Sequence, residues 1–409
     1  MNPLAGRYEK QGDAGEYRPP KTYSTTDSSP ERRVTPIRRV LMVGAPWHHM
    51  GQRSGMTPLV AALSARFDLV RTAPSRLDKL TVLLRRALQK LRDKVTGKSR
   101  KLSWSPFYDL QKWTVETCAI RKLKSEQFDA VVFESIEDYF QQFAAIRERF
   151  PGLRVIGISH QPPGWWRLFA PDSQGRLDAF DEVICLSRHA QTYLTDAVGH
   201  PNVHRLPHGV DSEFFCDSAT VPPLPGFNVL FCGKWLRDFE ALERTVSKAL
   251  STHPDWVFHL VVPAGARNIE QHFRLARFDN VQWYSGVSDE DLRDLYIKCQ
   301  VLYLPLLDAT ANNAILEAMA CGLPILTNGV GGIADYLSDD TAQYIKGDWM
   351  EGAVEQLAWC QSNPAALAAQ AKAARQKVEN ELDWRIVAAR FADVIGGADP
   401  RESVEGTHQ

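Results

Sequence analysis

The residues best placed to do chemistry lie in one run, Asp308-Ala-Thr-Ala-Asn-Asn-Ala-Ile-Leu-Glu317-Ala-Met-Ala-Cys-Gly-Leu-Pro324. It follows an apolar strand pattern, passes through small residues and two asparagines, and enters a helix that Gly322 closes. At such a helix start the backbone N–H groups of Asn312, Asn313 and Ala314 point outward, where they suit a diphosphate. Glu317 lies one turn further in, where its carboxylate can accept hydrogen bonds from paired hydroxyls such as those of a ribose. An ordinary capped helix fits the same residues.

Chemistry at a helix start requires a sheet behind it. Arg39-Val-Leu-Met-Val-Gly44 reads as a buried strand, and Pro46 to Gly55 as a glycine-containing loop entering a helix from Pro58 to Phe67. Further strands are expected at Asp129–Phe133, Arg154–Ser159, Asp181–Leu186 and Val203–Leu206, mostly separated by helical segments. After a linker at Leu224-Pro-Gly-Phe, a second series begins at Asn228-Val-Leu-Phe-Cys-Gly233. It continues at Val257–Val262, Val281–Tyr284, Val301–Pro305, Pro324–Thr327 and Gln343–Ile345. Strands alternating with helices call for an α/β fold of two facing Rossmann-like, doubly wound domains. The domains are placed at 38–215 and 216–378, with a C-terminal helix over 379–397 crossing back to the N-terminal domain. Residues 1–37 and 398–409 read as disordered.

One segment departs from this pattern. From Arg76 to Lys101 there are ten basic residues and two acidic ones, and Leu77, Leu80, Leu84, Leu88, Leu91 and Val95 recur at helical spacing. Two readings stay open: a basic amphipathic helix in peripheral contact with an anionic membrane surface, or a helix whose apolar stripe packs on its own domain.

Composition narrows the function classes. The chain has 409 residues, 44% of them hydrophobic and 24% charged, with a formal net charge of -1, so nucleic acid is not an expected partner. Seven cysteines without C-x-x-C spacing speak against a disulfide framework or a zinc site and for a reducing cytoplasm. His48 and His49 lack a third ligand at sensible spacing, so no metal is expected. No apolar run reaches the roughly 18–20 residues that span a bilayer.

Several of these segments together resemble the retaining glycosyltransferase family 4, of the GT-B fold. They are Leu316-Glu-Ala-Met-Ala320 followed by Cys321-Gly-Leu-Pro324, then Gly331-Gly332 and Asp335. His208-Gly-Val-Asp-Ser-Glu-Phe214 resembles the family's segment at the junction between domains, and Ser285-Gly286, Leu295 to Val301 and Leu304-Pro305 match the approach to the signature. The resemblance implies a nucleotide sugar as donor, a saccharide or lipid-linked acceptor and no cofactor. It makes Glu317 the ribose ligand and Lys234 a cation on the donor diphosphate, with Arg237 standing in for a second one. Fixed cations there would stabilise the departing nucleoside diphosphate. His160, which ends a strand before Gln-Pro-Pro-Gly-Trp-Trp, matches the histidine over the transferred sugar. Gly51 and Gly55 match the first-domain glycine loop, with Arg53 beside them as an acceptor-side residue. Glu134, Glu137 and Asp138 follow another strand end and are candidates for acceptor hydroxyls. Trp165 and Trp166 either stack on a sugar face or belong to the core.

Counting back eight positions from Glu317 reaches Ala309, where the family's E-x7-E pattern has its first glutamate. Three outcomes follow: Asp308 supplies the carboxylate, Asn312 or Asn313 takes over sugar contacts, or transfer is lost and binding kept. The first two together are expected. A nucleotide-sugar isomerase and a silent nucleotide-sugar-binding protein are the rivals. A nicotinamide dehydrogenase is not expected, because no G-x-G-x-x-G opens either series.

Overall fold

The computed structural model describes residues 37–45, 51–97, 105, 107–143, 147, 149–171, 177–217, 221–346 and 349–397. All but one residue of the expected lead-in, the tail from 398, His48, His49 and the 98–101 end of the basic segment lie outside them. The chain forms two compact units. Of the described residues, the first unit holds 37–45, 59–207 and 388–397, and the second holds 51–58 and 208–387.

The first unit is built on a six-stranded parallel sheet of β1 (Arg39–Val43), β2 (Asp68–Arg71), β3 (Ala130–Phe133), β4 (Arg154–Ser159), β5 (Glu182–Cys185) and β6 (Val203–Arg205), in the order β2-β1-β3-β4-β5-β6. The four residues of β3 and the last four of β1 are buried, as strands covered on both faces must be. Sequence reasoning found five of these strands and missed β2. That strand is a half-exposed edge of four residues ending in Arg71, so it lacks the apolar run that marks a buried strand.

The second unit repeats the design with β7 (Asn228–Cys232), β8 (Val257–Val261), β9 (Val281–Tyr284), β10 (Val301–Leu304), β11 (Ile325–Thr327) and β12 (Gln343–Tyr344). Its order is β12-β11-β10-β7-β8-β9, again all parallel. The strand order reverses between β7 and β10, which pair with Val301 opposite Val229 and Leu302 opposite Leu230. Open α/β sheets bind ligands beyond the carboxyl ends of the strands at such a reversal. The doubly wound α/β architecture read from the sequence is thus the observed one.

Five helices matter below: α1 (Arg76–Thr96), α2 (Leu110–Ser125), α3 (Asp289–Lys298), α4 (Asn313–Cys321) and α5 (Trp384–Gly396). Helix α5 groups with the second unit through Val387 and with the first from Ala388. In the first unit Asp393 pairs with Arg66 at 3.1 Å, and the Val394 carbonyl accepts from Arg154 at 3.1 Å. The return of the C-terminal helix to the N-terminal unit is therefore present.

Candidate active site

Within the second unit, the loops that leave β7 and β10 build the site. After β7 the chain turns at Gly233, whose φ of 96° favours glycine. A side chain there would also meet the Arg237 guanidinium, with Nη2 2.8 Å from the added carbon. Arg237 folds back under this turn. Its Nε donates to the Cys232 carbonyl at 2.9 Å, its Nη1 to the Trp235 carbonyl at 2.9 Å and its Nη2 to Asn312 Oδ1 at 3.2 Å. Burial lowers its pKa to about 10, which leaves it charged at neutral pH. Leu236 carries a positive φ of 53°, a conformation a leucine adopts only under constraint. The constraint is visible: the Leu307 amide donates to Leu236 O at 3.0 Å and the Asp238 amide to Pro305 O at 3.0 Å, tying the two loops together.

Asn312 is the N-cap of α4, its Oδ1 accepting from the Ile315 amide at 3.4 Å as well as from Arg237. The amides of Asn313 and Ala314 then precede the first intrahelical bond and point out of the helix start, as the sequence implied. Gly322 closes α4 in the left-handed conformation.

Glu317 is buried and fully engaged. Tyr296 donates to its Oε2 at 2.9 Å and Ser54 to its Oε1 at 2.5 Å. Burial raises its pKa to about 7 against the pull of these two hydroxyls. Both hydroxyls on Glu317 belong to the protein rather than to a ribose. Neither Ser54 nor Tyr296 was singled out from the sequence, although both sit inside segments that were.

Ser54 is carried by the segment 51–58, which packs with this unit. The Arg53 amide donates to Asp289 at 3.1 Å, and its guanidinium pairs with Asp211 at 3.2 Å over the ring of Phe214. Gly51 lies against the Asp289 carboxylate so closely that a side chain there would collide with it. Gly55 turns with a φ of 67°. Gly51, Arg53 and Gly55, expected to face an acceptor, are therefore found in the unit that holds Glu317. Together Arg53, Ser54, Gly55, Asn313, Glu317 and Trp384 line most of a small cleft, narrowed by 51–58 where Ser54 lies on Glu317.

The segment from His208 to Phe214 backs this cleft. A parallel bridge joins Val210 to Asp383, with the Val210 amide donating to Leu382 O and the Trp384 amide to Val210 O. The Trp384 ring covers Gly209 so tightly that only glycine fits there.

Asp308 folds onto its own loop. Its Oδ1 accepts from the amide of Ala309 at 2.8 Å and lies over Gly331, whose φ is 56°. Ala309 itself is buried, and its carbonyl accepts from the Gly332 amide at 2.8 Å. Asn312 is also committed to capping, so of the proposed substitutes for the missing carboxylate only Asn313 lines the cleft. Lys234 is exposed immediately after the β7 turn. Arg237, by contrast, is a brace beneath that turn rather than an open cation.

In the first unit, the strand ends gather a different set. The Glu134 carboxylate lies directly over Gly44 and pairs with Arg71 at 2.6 Å, while its Oε1 is buried with no hydrogen-bond partner among the described residues. Burial raises its pKa despite Arg71. Expected to meet an acceptor from a strand end, Glu134 is instead only 5% exposed. His160 places Nε2 2.8 Å from the Glu134 carbonyl. Its amide and that of Gln161 donate to Glu137, which also receives Ser159 Oγ and Ser135 Oγ. Glu137 thus organises the turn after β4, and Asp138 pairs with Lys112 at 2.6 Å. Trp165 corrects the sugar-stacking expectation: it is 1% exposed and packs among Phe107, Trp166 and Phe169, so it belongs to the core. Among the described residues no cluster of His, Cys, Asp or Glu could hold a metal.

Comparison with known proteins agrees with this geometry. Residues 226–373, which contain both loops of the second-unit site, match the family model Glycosyl transferases group 1. The two parallel sheets with interleaved helices are those of a GT-B fold. A curated relative is the GDP-mannose-dependent monoacylated alpha-(1-6)-phosphatidylinositol monomannoside mannosyltransferase of Corynebacterium glutamicum, 24% identical over 274 residues, 61% of this chain and 71% of that protein. Among solved structures, sucrose-phosphate synthase from Thermosynechococcus elongatus superposes with a TM-score of 0.65 at 14% identity, over 90% of this chain and 100% of that one. The Anabaena HepE protein in complex with UDP-glucose gives 0.63 at 15% identity, over 88% and 100%. At these identities the structural likeness speaks to fold alone.

Proposed function

We propose that this protein transfers a sugar from a nucleoside-diphosphate donor to a saccharide or lipid-linked acceptor, with retention of anomeric configuration, in surface polysaccharide or glycolipid assembly. The observation that carries the reading is the buried Glu317 carboxylate, one turn into α4 and already holding two hydroxyls. A donor ribose takes the place of Ser54 Oγ, which requires 51–58 to yield. The diphosphate then lies at the α4 start, against the amides of Asn313 and Ala314 and within reach of Lys234. In transfer, the bond from the anomeric carbon to the β-phosphate oxygen breaks and its electron pair leaves with the nucleoside diphosphate. An acceptor hydroxyl bonds to the same carbon on the same face and gives up its proton to the departing phosphate. The helix start and Lys234 stabilise the charge that accumulates, so the reading invokes no metal cofactor. His160 is retained as the candidate residue for the transferred sugar, and Asn313 for its hydroxyls. The relative's GDP-mannose and the UDP-glucose bound to HepE mark two donor bases to compare. A cytoplasmic location, in peripheral contact with a membrane, would give access to a lipid-linked acceptor.

Turnover of donor and acceptor tests this. Glu317→Ala and Lys234→Ala should each lower kcat/KM by at least about tenfold, the loss expected for one interaction worth roughly 1.4 kcal/mol in the transition state. Wild-type rates in both would refute the site. Buried Ala309, in the glutamate position, favours one second reading: a protein that binds the nucleotide sugar and releases no nucleoside diphosphate with any acceptor.

A further inference from the structure

Helix α1 is built inside out. Its buried residues are Asp78 and Val82, with Thr81, Arg86, Gln89 and Asp93 half-buried on the same side. Asp78 supplies the attachment: Arg121 of α2 donates to both its oxygens, at 2.8 and 3.0 Å, and holds its pKa down to about 2. Asp78 also completes a capping box with Ser75.

The leucines face the other way. Leu77, Leu80, Leu84, Leu88, Leu91 and Val95 are between 52% and 79% exposed, and with Leu83 they make seven of the nine large apolar side chains exposed among the described residues. Their spacing of three and four residues places the six on one stripe along the helix. At 3.6 residues per turn, Arg85 and Arg92 flank this stripe on one side, and Arg76, Lys90 and Lys94 on the other. The sequence left open whether the stripe packs on its own domain, and among the described residues it stands exposed.

We infer that α1 is a membrane-docking helix lying in the plane of an anionic lipid surface. Its leucine stripe enters the boundary between headgroups and acyl chains, and the flanking arginines and lysines engage lipid phosphates. Charge selects this occupant over a second copy of the chain. The helix carries seven basic and two acidic residues, so two copies meeting along the stripe would bring like charges together, whereas an anionic membrane complements them. In sequence, the adjoining residues 98–104, Lys-Ser-Arg-Lys-Leu-Ser-Trp, extend the basic run.

Co-sedimentation of the full chain with vesicles tests the inference. Wild type should pellet with phosphatidylcholine vesicles containing phosphatidylglycerol, far less with phosphatidylcholine alone, and less at high salt. The double variants Leu84→Glu/Leu88→Glu and Arg85→Glu/Arg92→Glu should each lose at least about tenfold in partitioning. Both alter exposed side chains, so their melting temperatures should stay at the wild-type value, and any loss of binding is then a surface effect. Absent binding of wild type to anionic vesicles, or binding unchanged in the leucine variant, would overturn the inference. So would a dimer in vesicle-free buffer that the leucine variant dissociates. Vesicle binding does not depend on donor turnover, so it can fail without touching the donor-site reading.

Discussion

At the scale of the residue, Glu317 makes a proton-linked prediction. Burial holds its pKa at about 7 instead of the ordinary carboxylic range. Below that value the group is protonated and one oxygen becomes a donor; above it both oxygens accept. A ribose diol needs two acceptors, so donor affinity should rise as pH increases through about 7. Glu317→Gln should bind more weakly and flatten this rise, and calorimetric titrations between about pH 6 and pH 8 check both. A profile that falls with pH would mean that the protonated acid is the binding form. The sequence exposed Glu317 because helix, signature and position agreed on it. It did not expose Ser54 or Tyr296, since hydroxyls brought from 263 positions away in the one case and 21 in the other carry no local pattern. Arg237 shows the opposite failure: its charge type suited a diphosphate, but three hydrogen bonds to the loops make it a brace.

At the scale of the element, the loops after β7 and β10 act as one piece, held by Arg237 and by the backbone bonds of Leu236 and Asp238. Gly233 is the weak point. A methyl group there would have to adopt a positive φ and push on the Arg237 guanidinium. Gly233→Ala should therefore cost about 1–3 kcal/mol in stability, with a larger fractional loss of donor affinity than a surface Gly→Ala control, both measurable by denaturant titration with and without donor. Unchanged stability would show that Arg237 is not the brace described. Most elements were legible because parallel strands buried on both faces leave continuous apolar runs. β2 was not, as an edge strand can be short and half polar. Helix α1 was legible as amphipathic, but periodicity alone cannot say which face turns inward. Asp78 and Arg121, 43 positions apart, decide that.

At the scale of the whole molecule, each unit places its polar set where its strand order reverses: Glu134 over Gly44 in the first, and the Arg237–Asn312–Glu317 group in the second. The fold was therefore readable almost entirely, and so was the place of Asn313 and Glu317 on one cleft of the second unit. What side chains do at the strand ends was not: Trp165 and Glu134 are buried, and Gly51, Arg53 and Gly55 group with the other unit. Strand ends locate a site, but they do not distinguish a side chain that reaches a ligand from one that holds a turn. The central claim, that the second unit binds a nucleoside-diphosphate sugar through Glu317, is tested most directly by thermal shift of the full chain against a panel of nucleotide sugars, with wild type and Glu317→Ala side by side. At about 100 Kd of donor the account predicts stabilisation of the order of 2.7 kcal/mol for one base, visible as a raised Tm and lost in the variant. No shift with any nucleotide sugar, or an equal shift in Glu317→Ala, would contradict it.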